Sequence, residues 1–322
     1  MFDVPILYIV FNRPEETKRS FDVLRKIQPA RLYISADGPR DNRPDDLENT
    51  EKVKQIVSKV DWDCEVKLLF QPANRGCRVA VEKALEWFFN NEPEGIIIED
   101  DIIPNAAFFD YCKIMLARYR DNESIFSING CSIGYRNLNE AYGLSRYFNM
   151  WGWATWKRTY QLVQATWKDF DPEIPLTNFD SIKKAVHLPV LFDGNEKWLL
   201  YWQKNFNDTY HGIIDTWDFQ WVYTLYKTNK YCIRPSENYV VNIGFGETAT
   251  HHKFTKSPIC NLKYTAAVYE DKANFYPKVD NTFEVYYVGK LVNDVDLENW
   301  RDLVARLIPV PIKKMIKSVK GF

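Results

Sequence analysis

Three consecutive carboxylates, Glu99-Asp100-Asp101, follow an unbroken run of isoleucines, Ile96-Ile97-Ile98. A continuous β-branched run suits a strand buried on both faces. Acids placed where such a strand ends stand at the edge of an apolar core. They repel one another there unless a cation sits among them. The simplest such cation is a divalent metal that also carries phosphate oxygens. A strand end with solvated acids is the plainer alternative. Two further acids, Asp215 and Asp218, bracket Thr216-Trp217 at the start of a predicted helix. Asp215 or Thr216 would cap that helix, and Asp218 would lie in its first turn, where the dipole favours a carboxylate. His251-His252 ends a stretch containing Gly244 and Gly246. It reads as a loop able to close over a ligand, with one histidine as a ligand or phosphate contact. Trp151, Trp153 and Trp156 surround Gly152, a cluster that either stacks on a sugar face or packs a hinge.

The elements that must hold these residues alternate. Apolar runs at 4–11, 32–36, 65–70 and 95–98 read as strands, and helical spacing separates them. Pro14 sits near the start of the first helix, and Pro104-Asn105 leads into the one after the acids. Residues 41–50 read as a polar loop, 131–146 as irregular, 168–210 as a helical insert, and 255–300 as irregular with a strand at 284–288. The β-α-β-α-β-α-β order predicts a parallel sheet covered by helices. Ligands of such sheets bind beyond the C-terminal strand ends. There the sequence sets Asn12-Arg13, Asp37-Gly38, Asn74-Arg75-Gly76 and the three acids. Neither GxGxxG nor GxxxxGK[ST] occurs, which argues against a Rossmann dehydrogenase and a P-loop NTPase.

A chain of 322 residues with a net charge of −1 has length enough for a large core and no global field to recruit nucleic acid. The six cysteines are scattered without a CxxC pair, as expected of reduced thiols in a cytoplasmic protein. No signal peptide and no run of transmembrane length is read. Residues 303–322 contain no acid and mix lysines with apolar residues. That pattern suits either an anionic membrane surface or a terminal helix docked on the body.

The order of Asp37-Gly38, Glu99-Asp100-Asp101, Phe108-Phe109-Asp110-Tyr111, Trp151-Gly152-Trp153, Trp217-Asp218, Ile233-Arg234-Pro235 and the glycine-rich loop ending in His251 carries a resemblance. Over residues 4–252 the chain resembles N-acetylglucosaminyltransferase I and bacterial nucleotide-diphospho-sugar transferases of surface-polysaccharide clusters. The resemblance implies a GT-A fold: α/β, Rossmann-like, with a mostly parallel sheet flanked by helices and a C-terminal acceptor-side extension. It implies a GT-A domain over 1–252, with a nucleotide-binding half (1–130) and an acceptor-side half (131–252). An irregular extension (253–300) and a basic amphipathic tail (301–322) follow. Asp101 would ligate Mn2+ or Mg2+, Asp100 would lie near the ribose, and Glu99 would support them. Asn12, Arg13 and Asp37 would contact the nucleotide. Asp218 would be the catalytic base. Trp151, Trp153 and Trp217 would contact the donor or acceptor sugar, and Gly244, Gly246 and His251 would belong to a lid. The family's histidine before the third helix is replaced here by Gly76.

The implied activity is inverting transfer of a hexosyl or N-acetylhexosaminyl group. The donor would be a nucleotide-diphosphate sugar, UDP favoured, and the acceptor a glycan or lipid-linked sugar in surface polysaccharide synthesis. The expected location is the cytoplasm, or the inner face of its membrane. Glycosyl transfer independently asks for a Lewis acid on the leaving diphosphate and a base beside the acceptor hydroxyl, worth ~10²–10⁴-fold. Two rival readings are a nucleotidyltransferase and a non-catalytic carbohydrate-binding protein. The first normally needs a glycine-rich basic first loop, which Phe11-Asn12-Arg13-Pro14 is not.

Overall fold

The four apolar runs become β1 (Ile6–Val10), β2 (Arg31–Ala36), β3 (Glu65–Phe70) and β4 (Glu94–Glu99). The structure is a computed structural model that describes residues 1–137, 139–176, 196–245, 262–263, 269–271 and 276–294. Between the strands lie α1 (Pro14–Ile27), α2 (Pro44–Val57) and α3 (Cys77–Asn91). After β4 come β5 (Ile102–Pro104), α4 (Ala106–Arg118), β6 (Ile125–Asn129), β7 (Tyr142–Ser145), β8 (Trp153–Trp156) and α5 (Lys157–Lys168). The remaining described elements are α6 (Glu196–Tyr210), α7 (Asp218–Thr228), β9 (Tyr231–Pro235), β10 (Val240–Asn242) and α8 (Asn281–Asp294).

Eight strands form one sheet in the order β3-β2-β1-β4-β8-β6-β9-β7. The first four are parallel, β8 is antiparallel between β4 and β6, β9 is parallel to β6, and β7 closes the edge antiparallel. Helices flank this mostly parallel sheet, and the fold is the expected α/β class of GT-A type. Ile6, Leu7, Tyr8, Ile96, Ile97 and Ile98 are buried to 1% exposure or less, as central strands covered on both faces require. Their register pairs Ile9 with Glu99 and Val10 with Ala36. The residues that follow β1, β2 and β4 therefore emerge side by side on one rim. A second, two-stranded sheet pairs β5 antiparallel with β10, Ile102 opposite Asn242. It returns the chain from residue 240 to the acids at 99–101.

Several local expectations are corrected. Helix α2 starts at Pro44 within the presumed loop 41–50, with Asp45 and Asp46 in its first turn, a normal helix start. The stretch 131–146 contains β7 and is largely buried. The presumed strand at 284–288, and the irregular structure around it, is helix α8. Phe283, Glu284 and Tyr287 are buried at 1%, 0% and 6%, while Val285 is 57% exposed. One helical face thus supplies the contacts, and packing overrides the strand preference of Val285-Tyr286-Tyr287-Val288. Glu284 pairs there with Arg146 at 3.1 Å, and Tyr287 stacks on Tyr147 at 4.2 Å. The Asn105 side chain caps α4 by accepting the Phe108 N–H at 3.0 Å, as expected. No helix among the described residues is long and apolar enough to cross a membrane. The tail at 303–322 lies outside the described residues.

Candidate active site

The rim is built from four loops, each following a strand. Asp100 is buried, and its Oδ2 accepts the Phe11 N–H at 3.1 Å. Its Oδ1 lies 3.6 Å from Arg13 Nε, and Asp101 Oδ2 accepts a hydrogen bond from Arg13 Nη1 at 2.8 Å. One guanidinium thus answers two of the three adjacent acids. Burial, followed by the charges of Asp101 and Asp100, raises the pKa of Glu99 well above the usual carboxylate range. Burial likewise raises that of Asp100, against the opposing pull of Arg13. Among the described residues, Arg13 is the cation facing these three acids, a condition under which a second cation is favoured.

Gly244 seals this pair. A Cβ at that position would stand 2.1 Å from Asp101 Oδ2 and 2.7 Å from Arg13 Nη1, so a larger residue would have to push these two side chains aside. The Ile243 N–H donates to the Asp101 carbonyl at 2.8 Å, and the Gly244 N–H to Asn242 Oδ1 at 2.7 Å. Phe245 meets the edge of the half-buried Trp151 with ring centroids 5.7 Å apart. Of the lid residues expected from sequence, Gly244 thus lies on the acids. Gly246 and His251 lie outside the described residues.

Asp37 is buried and serves the loop before α3. Its carboxylate accepts the N–H groups of Gly38 (2.9 Å) and Arg75 (3.0 Å) and the amide of Asn74 (2.8 Å). Burial nevertheless raises its pKa. Asn12 donates to Asp46 at 2.6 Å, and Asp46 also takes two bonds from the Arg40 guanidinium. These bonds hold the Asp46 pKa down at about 2, the Arg40 side chain being the largest cause. Arg40 in turn lies over the Phe11 ring at 5.2 Å. Asp46 thereby joins the loop after β1 to the loop after β2, a role hidden from a sequence in which 41–50 reads as a polar loop.

Asp218 opens α7 at the other side of the site. Its Oδ1 accepts the Phe219 N–H at 3.0 Å and the Thr216 hydroxyl. Its charge reaches Glu99 and the Cys77 thiol, whose pKa burial drives far upward; Cys77 is therefore held as an inert thiol. Neither Asp215 nor Thr216 caps α7, whose N-cap is Trp217. The Asp215 carboxylate accepts from α3 instead, Oδ2 from the Cys77 N–H at 2.8 Å and Oδ1 from the Arg78 N–H at 3.0 Å. No local pattern in the sequence signals that bond, which spans 138 residues.

The tryptophans divide. Trp153 is fully buried and Trp217 is 4% exposed. They stack on each other at 5.8 Å, and Trp221 meets Trp153 edge-on at 4.8 Å. Both are core residues here, presenting no open face for a sugar to stack on. Trp151 is the member of the expected set with exposed surface.

Among the described residues, no three of His, Cys, Asp and Glu stand close enough to hold an ion by themselves. A single carboxylate that shares a divalent ion with substrate phosphates needs no such cage. Asp101, partly exposed beside Arg13 at this rim, fits that arrangement.

The fold is α/β of GT-A type, and polar side chains collect on the rim at its strand ends. No family model and no curated protein matches the sequence. Solved structures show distant likeness. A mannosyltransferase from Pyrobaculum calidifontis, in complex with GDP-Man and Mn2+, aligns over 52% of this chain and 47% of its own at 13% identity and a TM-score of 0.33. This chain therefore spans about half the length of that protein. HddC from Yersinia pseudotuberculosis aligns over 49% and 78% at 12% identity and a TM-score of 0.31. Mouse xyloside xylosyltransferase 1 in its apo form aligns over 70% and 82% at 9% identity and a TM-score of 0.35.

Proposed function

We propose that the chain is a metal-assisted glycosyltransferase that moves a sugar from a nucleotide-diphosphate donor to an acceptor hydroxyl. The observation that carries this reading is the meeting of two acidic sites of different character at one rim. Asp101, with Arg13 and the buried acids beside it, forms a seat crowded with negative charge. Asp218, on a separate helix start, lies within electrostatic reach of Glu99. A divalent ion on Asp101, Mn2+ or Mg2+, would neutralise the leaving diphosphate as a Lewis acid. Arg13 supplies a second positive group to the same phosphates. The loop of Asp37, Asn74 and Arg75 borders the nucleotide, with Asn12 held by Asp46 behind it. Asp100, tied to Phe11 and Arg13, supports the seat from within.

Asp218 takes the proton of the acceptor hydroxyl as its oxygen attacks C1 of the sugar. The C1–O bond to the diphosphate breaks at the same time, and the electron pair leaves with the nucleotide. A single carboxylate acting on the attacking side inverts the anomeric centre. Trp151, beside Phe245 at the entry of the lid segment, is the aromatic surface available to the sugar or acceptor. A UDP-sugar is the favoured donor, with a hexosyl or N-acetylhexosaminyl group. A glycan or lipid-linked acceptor of surface polysaccharide fits the same reading, with 303–322 on an anionic membrane. A nucleotidyltransferase is disfavoured because the loop after β1 offers one arginine and no glycine.

The test is a panel of UDP- and GDP-sugars with Mn2+, read as release of nucleoside diphosphate with and without glycan acceptors. Asp218→Asn is expected to lower kcat by ~10²-fold or more while donor Kd stays within about twofold. Normal turnover by Asp218→Asn removes Asp218 as the base.

A further inference from the structure

The N-terminus of α3 has no capping group of its own. Its N-cap is Gly76, with no capping bond from that residue's own side chain, and no acid lies in its first turn. The partial positive charge there is met by the Asp215 carboxylate, which belongs to the segment leading into α7. Gly76 is fixed by the same contact. Its φ of +83° and ψ of 159° fall in a region essentially restricted to glycine. A Cβ there would also lie 2.6 Å from Asp215 Oδ2.

The bonds continue on both sides. Upstream, the Gly76 N–H donates to Asn74 Oδ1, and Asn74 and Arg75 donate to Asp37. Downstream, Thr216 donates to Asp218. Together with the peptide links within 74–78 and between Asp215 and Thr216, these bonds connect Asp37 to Asp218. A second tie, Gln220 Nε2 to Glu82 Oε1 at 2.6 Å, joins α7 to α3 further along. It keeps the two helices together if the Asp215 link is cut.

We propose that Asp215 is a positioning residue that couples the nucleotide-side loop 74–78 to Asp218, so that occupancy of the donor site sets the base. The inference rests on the reading of the rim as a nucleotide-sugar site. It gives Asp215 a role distinct from that of a base, since both its oxygens are engaged by α3. An ordinary helix cap would stabilise α3 without making segment 214–220 respond to nucleotide.

Hydrogen exchange separates the two roles. In the full chain, UDP or GDP with Mn2+ is expected to slow amide exchange at 74–78 and at 214–220 together. In Asp215→Ala the nucleotide still protects 74–78 and no longer protects 214–220. Asp215→Asn keeps one carbonyl acceptor and guards against a variant that simply misfolds; it is expected to fall between the two. With a turned-over donor, Asp215→Ala should lose kcat by roughly 10–100-fold, as a misplaced group does, with donor KM moving less than about threefold. The coupling is overturned if 214–220 is protected equally in Asp215→Ala and the unmodified chain, or if nucleotide protects 74–78 alone in the unmodified chain. If neither nucleotide protects 37–38 or 74–78 in any form of the chain, the nucleotide-sugar reading itself fails, and the coupling with it.

Discussion

Replacing Arg13 by Gln removes the side chain that, among the described residues, answers Asp100 and Asp101 together. The guanidinium lies 2.8 Å from Asp101 Oδ2 and 3.6 Å from Asp100 Oδ1, with side-chain exposures of 19%, 14% and 5% for Arg13, Asp101 and Asp100. Breaking a fully buried ion pair costs about 3–5 kcal/mol, because the remaining charge stays buried. Partial exposure of Arg13 and Asp101 reduces that to about 2–3 kcal/mol. At about 2 °C per kcal/mol for a chain of this size, the melting temperature should fall by about 4–6 °C at neutral pH in the absence of metal. Excess Mn2+ should then raise the melting temperature of Arg13→Gln more than that of the unmodified chain, since the ion no longer competes with a resident cation. At about 100 times its dissociation constant a ligand adds ~2.7 kcal/mol, enough to recover most of the loss. Thermal melts with and without Mn2+, and with Mg2+ in parallel, read both effects. A melting temperature within about 1 °C of the unmodified chain would show that the acids do not depend on Arg13. Equal shifts by Mn2+ in both proteins would show that arginine and metal do not share a seat.

Two more predictions concern stability. Asp46 titrates near 2 in the folded chain, below its unfolded value of about 3.9, so its contribution is complete above pH ~4 and is lost as pH falls from there toward 2. Asp46→Asn should cost about 1–2 kcal/mol at pH 7 after discounting for the exposure of Arg40, and the difference from the unmodified chain should vanish in melts near pH 2. Glu284→Ala leaves Arg146 charged and buried beneath α8, so denaturant unfolding should show a loss of about 3 kcal/mol; a loss below 1 kcal/mol would mean that α8 is not tied to the body through that pair.

The inner parallel strands β1, β2 and β4 are legible because burial on both faces leaves a plain signature. Ile96-Ile97-Ile98 reads as a central strand and is one. The rim followed from that alone, since parallel neighbours must end together. What stayed hidden depends on contacts distant in sequence. Asp215 was legible as a cap, but its helix lies 138 residues upstream. Trp153 and Trp217 carry the composition of a sugar site and pack as core, because aromatic residues serve either purpose and only the surrounding chain decides. Asp46 was lost with the helix start at Pro44, although Pro44-Asp45-Asp46 holds the signal. At α8, local strand preference opposed helical packing, and the buried pair of Glu284 with Arg146 could not be read from either segment alone.

The charges around the rim point to where a cation gains most. Asp215 is answered by the start of α3, Asp218 by the Thr216 hydroxyl and the Phe219 N–H at the start of α7, and Asp37 by the loop at 74–75. Asp100 and Asp101 share one guanidinium. These N–H, amide and hydroxyl partners of Asp215, Asp218 and Asp37 are dipoles of the fold, which satisfy a carboxylate without neutralising it for its neighbours. Among the described residues, negative charge is therefore most crowded at Glu99 to Asp101, where burial already pushes Glu99 and Asp100 toward protonation. A divalent ion placed at Asp218 would gain one carboxylate and disturb the bonds from Thr216 and Phe219. Placed at Asp101, it would relieve three acids at once and release Arg13 toward phosphate. The same balance favours entry of the ion together with a diphosphate over entry alone, because the released guanidinium then has a new anion to meet.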